Sequence, residues 1–297
     1  MNNKKTIPEH LFDTGLYLFL ACIFIATFYP FWNILVISLN DATDTLRGNL
    51  YFWPREFTLA SYNTIFRNPE IWSALQVTVL RTILGTFLSI FCISLLAYAL
   101  SKRQLIGWKY FSFFFVFTMY FGGGLIPTYM IIKSLGLIDS FWVFIFPGTI
   151  GVFLMILVRT FIEQLPGEIE ESAKIDGAND LQIFARIVMP LCVPVLATIG
   201  LFLAIGHWNA WYDSYIYTYK PELKTLQAVL VKILNQFQTG AMMTDAQQLA
   251  QSSKRIPVSS ESIRMAVTMV ATLPIILVYP FVQKYFVKGI MMGAIKN

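Results

Sequence analysis

The residues whose types and spacing suggest a specific role lie in the stretch EESAKIDGANDLQIFARIVMP, residues 170–190. Between residues 163 and 186 the chain carries six acidic and two basic side chains, with apolar runs on both sides. Gly177 is predicted to end a first short helix, because glycine readily adopts backbone conformations that stop a helix. Asn179 followed by Gln182 has the spacing of a capping box and predicts the start of a second helix. The stretch therefore predicts a helix, a glycine turn and a second helix.

Other side chains that could support chemistry are far apart in the sequence. Neither a zinc site nor a cysteine–histidine nucleophile pair is supported by their spacing. The sequence also lacks the Gly-x4-Gly-Lys-Ser/Thr loop that cradles nucleotide phosphates. We therefore expect no enzymatic activity, no metal and no cofactor in this chain. The isolated side chains are Cys22, Cys92, Cys192, His10 and His207.

The elements that position residues 163–190 are long apolar runs. Of the 297 residues 56% are hydrophobic and 13% are charged, whereas a soluble domain carries about 25% charged residues. Each of six uncharged runs is close to the ~20 residues that cross ~30 Å of hydrocarbon as a helix. The sequence predicts an all-α membrane protein with one domain over residues 1–297. The predicted spans are residues 15–39, 74–101, 110–132, 140–158, 190–212 and 265–284.

Basic residues predict how these spans are oriented. Six spans place both termini on one side of the membrane, and the short basic segments fall on that same side. By the positive-inside rule that side is cytoplasmic, so residues 163–190 face the cytoplasm. The spans are then surrounded by membrane lipid. The cytoplasmic basic residues explain the net charge of +5, which requires no nucleic acid partner. The basic residues are Lys4, Lys5, Lys102, Arg103, Lys109, Lys284, Lys288 and Lys296.

A cytoplasmic segment of this kind has two interpretations. It could be an amphipathic linker on the membrane surface, but such helices favour lysine and arginine, and this segment is acidic. Small residues around the turn, Ser172, Ala173 and Ala178, would allow another surface to approach closely. An acidic segment with small residues therefore favours a surface that docks into another protein.

The spacing of this segment resembles a family motif. Glu171-Ser172-Ala173, three residues, Gly177, nine residues and then IVMP at 187–190 is similar to the EAA loop of ABC importer permeases, EAA-x3-G-x9-I-x-L-P. Serine at 172 and methionine at 189 are conservative departures. The WNAWYD stretch at 208–213 and the ending KYFVKGIMMGAIKN resemble the maltose-type, MalG-like carbohydrate permeases. The stretch FGGGLIPTYM and the ending KGIMMGAIK are most similar to the branch for oligosaccharides such as aldouronates and pectic fragments.

This resemblance implies a type I ABC importer permease fold and a mechanism. The EAA loop would be a coupling helix that docks on a cytoplasmic ATPase, and ATP and Mg would be used by that partner. The implied partners are a second homologous permease in a heterodimer, two ATPase copies and an extracytoplasmic solute-binding protein. The implied location is the bacterial cytoplasmic membrane. The coupling residues carried over by position are Glu171, Ser172, Ala173, Asp176, Gly177 and Ala178.

Candidate residues of a substrate pathway are polar or aromatic side chains at the outer ends of spans. An ionisable residue within a span indicates a functional site, although Arg81 could instead extend to the membrane surface as an anchor. Arg81 and Arg264 would offer cations to an acidic oligosaccharide. The 208–213 motif could equally shape its helix. The full set is Arg81, Trp208, Asn209, Trp211, Tyr212, Asp213 and Arg264.

Two further segments give structural expectations. Three successive glycines at 122–124 are unfavourable inside a helix, so the chain is expected to open or bend before Pro127. The glycines could serve a close helix crossing or a substrate contact. Residues 226–237 are expected to form a helix after the fifth span.

Alternative functions remain open from the sequence. An ABC importer of a non-sugar solute would carry the same coupling loop. An ATP-independent channel or secondary transporter would fit the hydropathy, but the coupling loop and the lack of inverted repeats and of a membrane-centred acidic relay disfavour it. A purely structural membrane subunit is the third alternative.

Overall fold

The computed structural model describes residues 7–235 and 259–294, and these residues are almost entirely helical. No β-strand occurs among them, and their one extended pairing is an isolated bridge between Asn40 and Phe57. The predicted all-α class is confirmed. The helices are α1 (Ile7–Ser38), α2 (Ala42–Thr45), α3 (Ala60–Phe66), α4 (Pro69–Ser101), α5 (Trp108–Tyr120), α6 (Leu125–Ser134), α7 (Val152–Ile162), α8 (Gly167–Ile175), α9 (Asp180–Ile183), α10 (Met189–Leu191), α11 (Val193–Asn209), α12 (Tyr212–Tyr217), α13 (Leu226–Asn235) and α14 (Ser260–Ala294). Short 3₁₀ helices lie at Phe141–Phe144, Phe146–Gly148 and Pro221–Leu223, and a π-helix at Phe184–Val188.

Three single helices are long and apolar enough to cross a membrane, namely parts of α1, α4 and α14. Three pairs of shorter helices pass the same test only together, because each pair is bent. The bends are 118° between α5 and α6, 50° between the 3₁₀ segment 141–148 and α7, and 79° between residues 180–191 and α11. The described residues thus provide three crossing helices, or up to six if each bent pair is one span. The predicted boundaries of the six spans remain a prediction.

Contacts divide the chain into two compact units, residues 1–68 with 232–273, and residues 69–231 with 274–297. In the first unit, the loop after α1 is organised around the buried carboxylate of Asp44. Its Oδ2 accepts hydrogen bonds from Asn40 Nδ2 and from Arg55 Nε, each at 2.9 Å. The hydrogen bond from the side-chain amide of Asn40 and the positive charge of Arg55 hold the pKa of Asp44 below its usual range. This loop therefore has a defined structure that is held by side-chain hydrogen bonds.

In the second unit, α4 packs along α11 and α7. The buried residues of α4 recur every three or four positions, as expected for one face of a helix. Gly85 lies on that face, where a Cβ atom would come within 2.5 Å of His207 Nε2 on α11. The core below this crossing contains Ile93, Val158 and Ile199. This packing fixes the two helices that carry the cavity described below.

The glycine-rich stretch bends the chain as expected, with residues 121–124 outside helices. Gly124 has φ of +80°, which lies in the left-handed region. Among the described residues a Cβ on Gly122 or Gly124 would meet no atom within 4 Å, so this part of the chain forms no close helix crossing there. The same atom on Gly123 would only touch Pro127 at 3.5 Å. Within the described residues these glycines serve the backbone and not tight packing.

Some expectations fall outside the described residues. The predicted helix over residues 226–237 is described as far as Asn235. The basic residues Lys4, Lys5 and Lys296 lie outside the described ranges.

Candidate functional site

The glycine turn of the 163–190 segment is a regular helix C-cap. α8 ends at Ile175, and Gly177 follows with φ of +83°. The backbone N–H of Ala178 donates to the carbonyl of Ala173 (2.9 Å), and that of Gly177 donates to the carbonyl of Lys174 (3.0 Å). These two bonds define a Schellman motif. Glycine is required here for its backbone conformation, since a Cβ at Gly177 would meet no atom within 4 Å.

The small residues of this turn face two directions. Ala173 is buried and belongs to the hydrophobic core of its own unit, and Ala178 is half-buried against that core. Such an apolar contact between these two positions commonly accompanies a Schellman motif. The side chain of Ala173 therefore lies against its own chain, and the assignment of Ala173 and Ala178 to ATPase coupling stays a prediction. Their small size lets the turn fold back on its own chain.

A different set of residues forms the exposed face of the turn, which we call the coupling face. It is acidic, yet it carries two apolar side chains, Ile175 and Leu181, which are 85% and 68% exposed. These two residues were not singled out from the sequence, although both are apolar and lie near Gly177. Exposed apolar side chains rimmed by polar ones mark surfaces that bind another protein. The coupling face consists of Glu171, Ser172, Ile175, Asp176, Gly177 and Leu181.

The second helix begins as predicted. Asn179 Oδ1 accepts from the backbone N–H of Gln182 (2.9 Å), and Gln182 Oε1 accepts from the N–H of Asn179 (3.0 Å). The capping box is thereby complete. Pro190 follows the π-helix, and the chain bends before it continues into α11.

The coupling segment is fastened to the end of α4. Lys102 Nζ pairs with the carboxylate of Glu170 on α8, and it also lies 4.5 Å from the centre of the Tyr98 ring. Tyr98 packs in turn on Phe184 of the π-helix, with ring centres 5.3 Å apart. Both halves of the segment therefore contact the end of α4 or the residue that follows it.

Arg81, which lies more than five turns before that end of α4, forms the second candidate feature. Its side chain is 3% exposed and makes a two-pronged ion pair with Asp213, whose side chain is 24% exposed. Nη1 donates to Asp213 Oδ1 (3.1 Å) and to the carbonyl of Ala210 (3.3 Å), while Nη2 donates to Oδ2. The guanidinium lies 4.8 Å from the centre of the Phe144 ring. Its Nε–H is buried without a hydrogen-bond partner among the described residues.

The helix break at Ala210 explains why an arginine fits here. Between α11 and α12 the backbone of Ala210 is extended, so its carbonyl has no partner within a helix. Arg81 and the hydroxyl of Thr225 both donate to this carbonyl at 3.3 Å. The neighbouring hydroxyl of Thr78 on α4 accepts from the N–H of Leu226 at 2.8 Å. Polar side chains of α4 thus form hydrogen bonds with backbone groups that lack a partner at the helix break. A span in lipid requires such partners.

A cavity of about 320 Å³ opens beside this ion pair. It is lined by residues of α4, α6, the 3₁₀ segment 141–148, α7, α11 and α12, all within the second unit. Both charged partners, Arg81 and Asp213, border it. The other members were missed from the sequence, since nothing in the local pattern connects Arg81 with positions 47 to 136 residues away. They include Thr128, Phe144, Phe202, His207 and Tyr217.

The remaining predicted pathway residues are dispersed. Trp208 borders a different, apolar groove of about 230 Å³. Asn209, Trp211 and Tyr212 are exposed around the helix break, and Arg264 is exposed on α14. The structure therefore brings only Arg81 and Asp213 together in one cavity.

Two expectations for Arg81 need correction. It is not a snorkelling anchor at the membrane surface, because its side chain is almost completely buried. Nor does it present an uncompensated cation to an acidic cargo, because Asp213 neutralises it within hydrogen-bond distance. A buried arginine in a membrane span requires such a partner.

Comparison with known proteins decides the family. Residues 79–292 match the family described as binding-protein-dependent transport system inner membrane component. This chain belongs to that family. The matched region contains the coupling segment, the ion pair and the cavity, so the predicted membership among ABC importer permeases is confirmed.

One sequence relative and one structural relative of this permease are named for saccharide transport. It is 40% identical to the polygalacturonan/rhamnogalacturonan transport system permease protein YtcP of Bacillus subtilis, over 98% of this chain and 100% of that protein. It is 37% identical to the protein LplC of the same organism, over 100% and 98% of the two chains. In structure it resembles a bacterial ABC transporter involved in the import of the acidic polysaccharide alginate, with a TM-score of 0.83 and 29% identity. That match covers 96% of this chain and 100% of the other.

These relatives settle what kind of subunit the chain is. Its homologues are permease subunits, which translocate cargo and leave ATP hydrolysis to a separate subunit. The chain is accordingly a membrane permease of the type I ABC importer fold, as predicted.

Proposed function

We propose that this permease imports acidic oligosaccharides of the pectic type. The observation that carries this proposal is the match along the whole chain to a permease named for polygalacturonan and rhamnogalacturonan. The structural relative named for alginate import has a cargo of the same chemical class, an acidic polysaccharide. A permease for a non-sugar solute would share the coupling segment but has no support from these relatives.

The coupling face is the proposed contact with a cytoplasmic ATPase. Its acidic residues and its two exposed apolar side chains, Ile175 and Leu181, form a compact protruding surface held by helix caps on both sides. Closure of two ATPases around ATP and Mg would push this surface. The push would reach α4 through the pairing of Lys102 with Glu170.

The remaining partners follow from the need for two ATPases. One chain offers one coupling segment, so a second homologous permease, forming a heterodimer with this chain, would supply the other. An extracytoplasmic solute-binding protein would deliver the cargo, in keeping with the family description. We place the coupling segment and both termini on the cytoplasmic side of the bacterial inner membrane, in agreement with the distribution of Lys and Arg.

Reconstitution of the complete complex in proteoliposomes tests this proposal. With trigalacturonate as the cargo, we expect ATP-dependent uptake and ATPase activity that rises when the binding protein is added. Uptake driven by a proton or sodium gradient without ATP would contradict the importer mechanism. ATP-dependent uptake of an unrelated solute, with none of trigalacturonate, would contradict the assigned cargo.

A further inference from the structure

We propose that the cavity beside the Arg81–Asp213 pair is a cargo subsite that recognises the hydroxyl groups of one saccharide ring, and not its carboxylate. This inference rests on the proposed oligosaccharide cargo. It assigns to this chain a neutral contact with a cargo that is acidic as a whole.

The size of the cavity limits what it can hold. At about 320 Å³ it lies at the lower end of the range of ligand sites, about 300–1,000 Å³. An oligosaccharide of several rings exceeds this volume. One ring of a longer cargo is therefore the part that fits.

The ion pair presents an acceptor to the cavity. Asp213 accepts from Arg81 with both oxygens but keeps further lone pairs, and about a quarter of its side chain is exposed. The Nε–H of Arg81 has no partner among the described residues, but it is fully buried and a ligand in the cavity cannot reach it. A sugar hydroxyl can donate to the free lone pairs of Asp213, whereas a carboxylate has no hydrogen to donate.

Charge also argues against a carboxylate at this position. The guanidinium already shares its charge with Asp213, so the pair is neutral as a whole. A cargo carboxylate placed here would face the Asp213 carboxylate at short range, in surroundings where charge repulsion is poorly screened. A hydroxyl group meets no such repulsion.

The rest of the wall suits the carbon face of a ring. Phe144, Phe202 and Tyr217 contribute aromatic rings to the cavity, and Thr128 adds a further hydroxyl. Tyr217 is held in place by stacking on Tyr129, with ring centres 6.0 Å apart. An apolar wall with a few convergent polar groups is the usual composition of a site for a small organic molecule.

The first experiment locates the cargo directly in the complete wild-type complex. A trigalacturonate derivative with a diazirine on one ring is irradiated with the complex in nanodiscs, and labelled peptides are identified by mass spectrometry. We expect labels in residues 128–148 or 202–217, and we expect carboxyl-reduced trigalacturonate to compete for them. Labelling confined to other segments, or a label that only the acidic sugar displaces, would overturn the proposal.

The second experiment separates hydroxyl recognition from charge recognition. Uptake of trigalacturonate and of its carboxyl-reduced form is measured for Asp213→Asn. We expect both rates to fall by the same factor, about 10- to 100-fold, which corresponds to one charge-assisted hydrogen bond. Unchanged uptake of both sugars, or a fall confined to the acidic sugar, would overturn the proposal.

A matched control is Asp44→Asn. Asp44 is also a buried aspartate paired with an arginine, but it lies in the loop after α1. We expect this variant to keep both uptake rates within about twofold of wild type. If wild-type complexes import neither sugar, the proposed cargo fails. If they import both sugars without labelling the cavity, only this inference fails.

Discussion

Two parts of α4 meet charged residues in opposite ways. In the first half of the helix, which we call the cavity end, Arg81 is buried, neutralised by Asp213 and held beside a helix break. At the other end the coupling face projects exposed acidic residues together with Ile175 and Leu181. Polar groups in the first region form hydrogen bonds within the chain, whereas those in the second are exposed and available to a partner.

This difference has an energetic basis. A charge buried in a span is very unfavourable unless it is paired, so the cavity end tolerates little change. Exposed charges contribute little to stability, so the coupling face is free to serve binding. Substitutions at the cavity end should therefore change stability, and those at the coupling face should change coupling between ATP hydrolysis and transport.

The largest effect on transport is expected for Gly177→Val. A β-branched residue at φ of +83° is strained, at a cost of order 1–3 kcal/mol, and relief of that strain distorts the coupling face. We expect uptake to be lost while the complex assembles and ATP hydrolysis no longer depends on cargo. Uptake and ATPase activity of the same proteoliposomes provide the measurement.

Gly136→Val is the matched control for that variant. Gly136 has φ of +69° and ends α6 with the same pair of hydrogen bonds, from Gly136 N to Lys133 O and from Leu137 N to Ile132 O, both 3.1 Å. A Cβ there would also meet no atom within 4 Å. Equal loss of coupling in both variants would show that strain alone, and not the coupling face, is responsible.

The largest effect on stability is expected for Asp213→Ala. Removal of the carboxylate leaves Arg81 buried and unpaired, and breaking a buried pair in this way costs about 3–5 kcal/mol. The partial exposure of Asp213 places the expected loss at the lower end of that range. Thermal unfolding in nanodiscs should show a lower Tm, and the double variant Arg81→Met/Asp213→Ala should recover part of it. An unchanged Tm for Asp213→Ala would show that the pair is not structural.

A smaller effect is expected for Gly85→Ala. Its Cβ would lie within 2.5–3.0 Å of three ring atoms of His207, and overpacking of this kind costs about 1–3 kcal/mol. Gly200→Ala, in the same pair of packed helices, should cost less because its Cβ only meets the end of the Ile90 side chain at 3.0 Å. If the clash with the ring is the cause, His207→Ala should partly restore the Tm of Gly85→Ala. Additive losses in the double variant would argue against it.

The smallest effect is expected for Lys174→Ala on the coupling segment. Lys174 Nζ lies 3.9 Å from Asp180 Oδ1, and the two side chains are 51% and 77% exposed. Exposed pairs of this kind contribute less than about 0.5 kcal/mol. The Tm should stay within about 1 °C of wild type. A larger decrease would mean that this region also depends on its own charges for stability.

The comparison also shows which features the sequence could predict. Gly177, Asn179 and Gln182 act within a few residues, so their spacing alone predicted the turn and the capping box. The partner of Arg81 is 132 positions away in the sequence, and only packing of α4 against α11 and α12 brings the two together. The burial of Ala173 was not predictable, because small size suits close contact with the chain itself as well as with a partner.

The glycines at 122–124 show the same difference between local conformation and tertiary contacts. The cost of glycine inside a helix predicted the break correctly. Whether another helix lies against a glycine depends on tertiary structure, and no described helix lies against these. Local conformation was thus predictable, whereas the surroundings of each residue were not.

The most direct test of the account is a cross-link from the coupling face. A photoreactive phenylalanine analogue is placed at Ile175, which is 85% exposed, and for comparison at Ile106, which is 93% exposed in the turn between α4 and α5. In the complete complex the account predicts an efficient cross-link from position 175 to an ATPase subunit, and a much weaker one from position 106. A cross-link from position 175 to lipid alone, or equal cross-links to the ATPase from both positions, would contradict it.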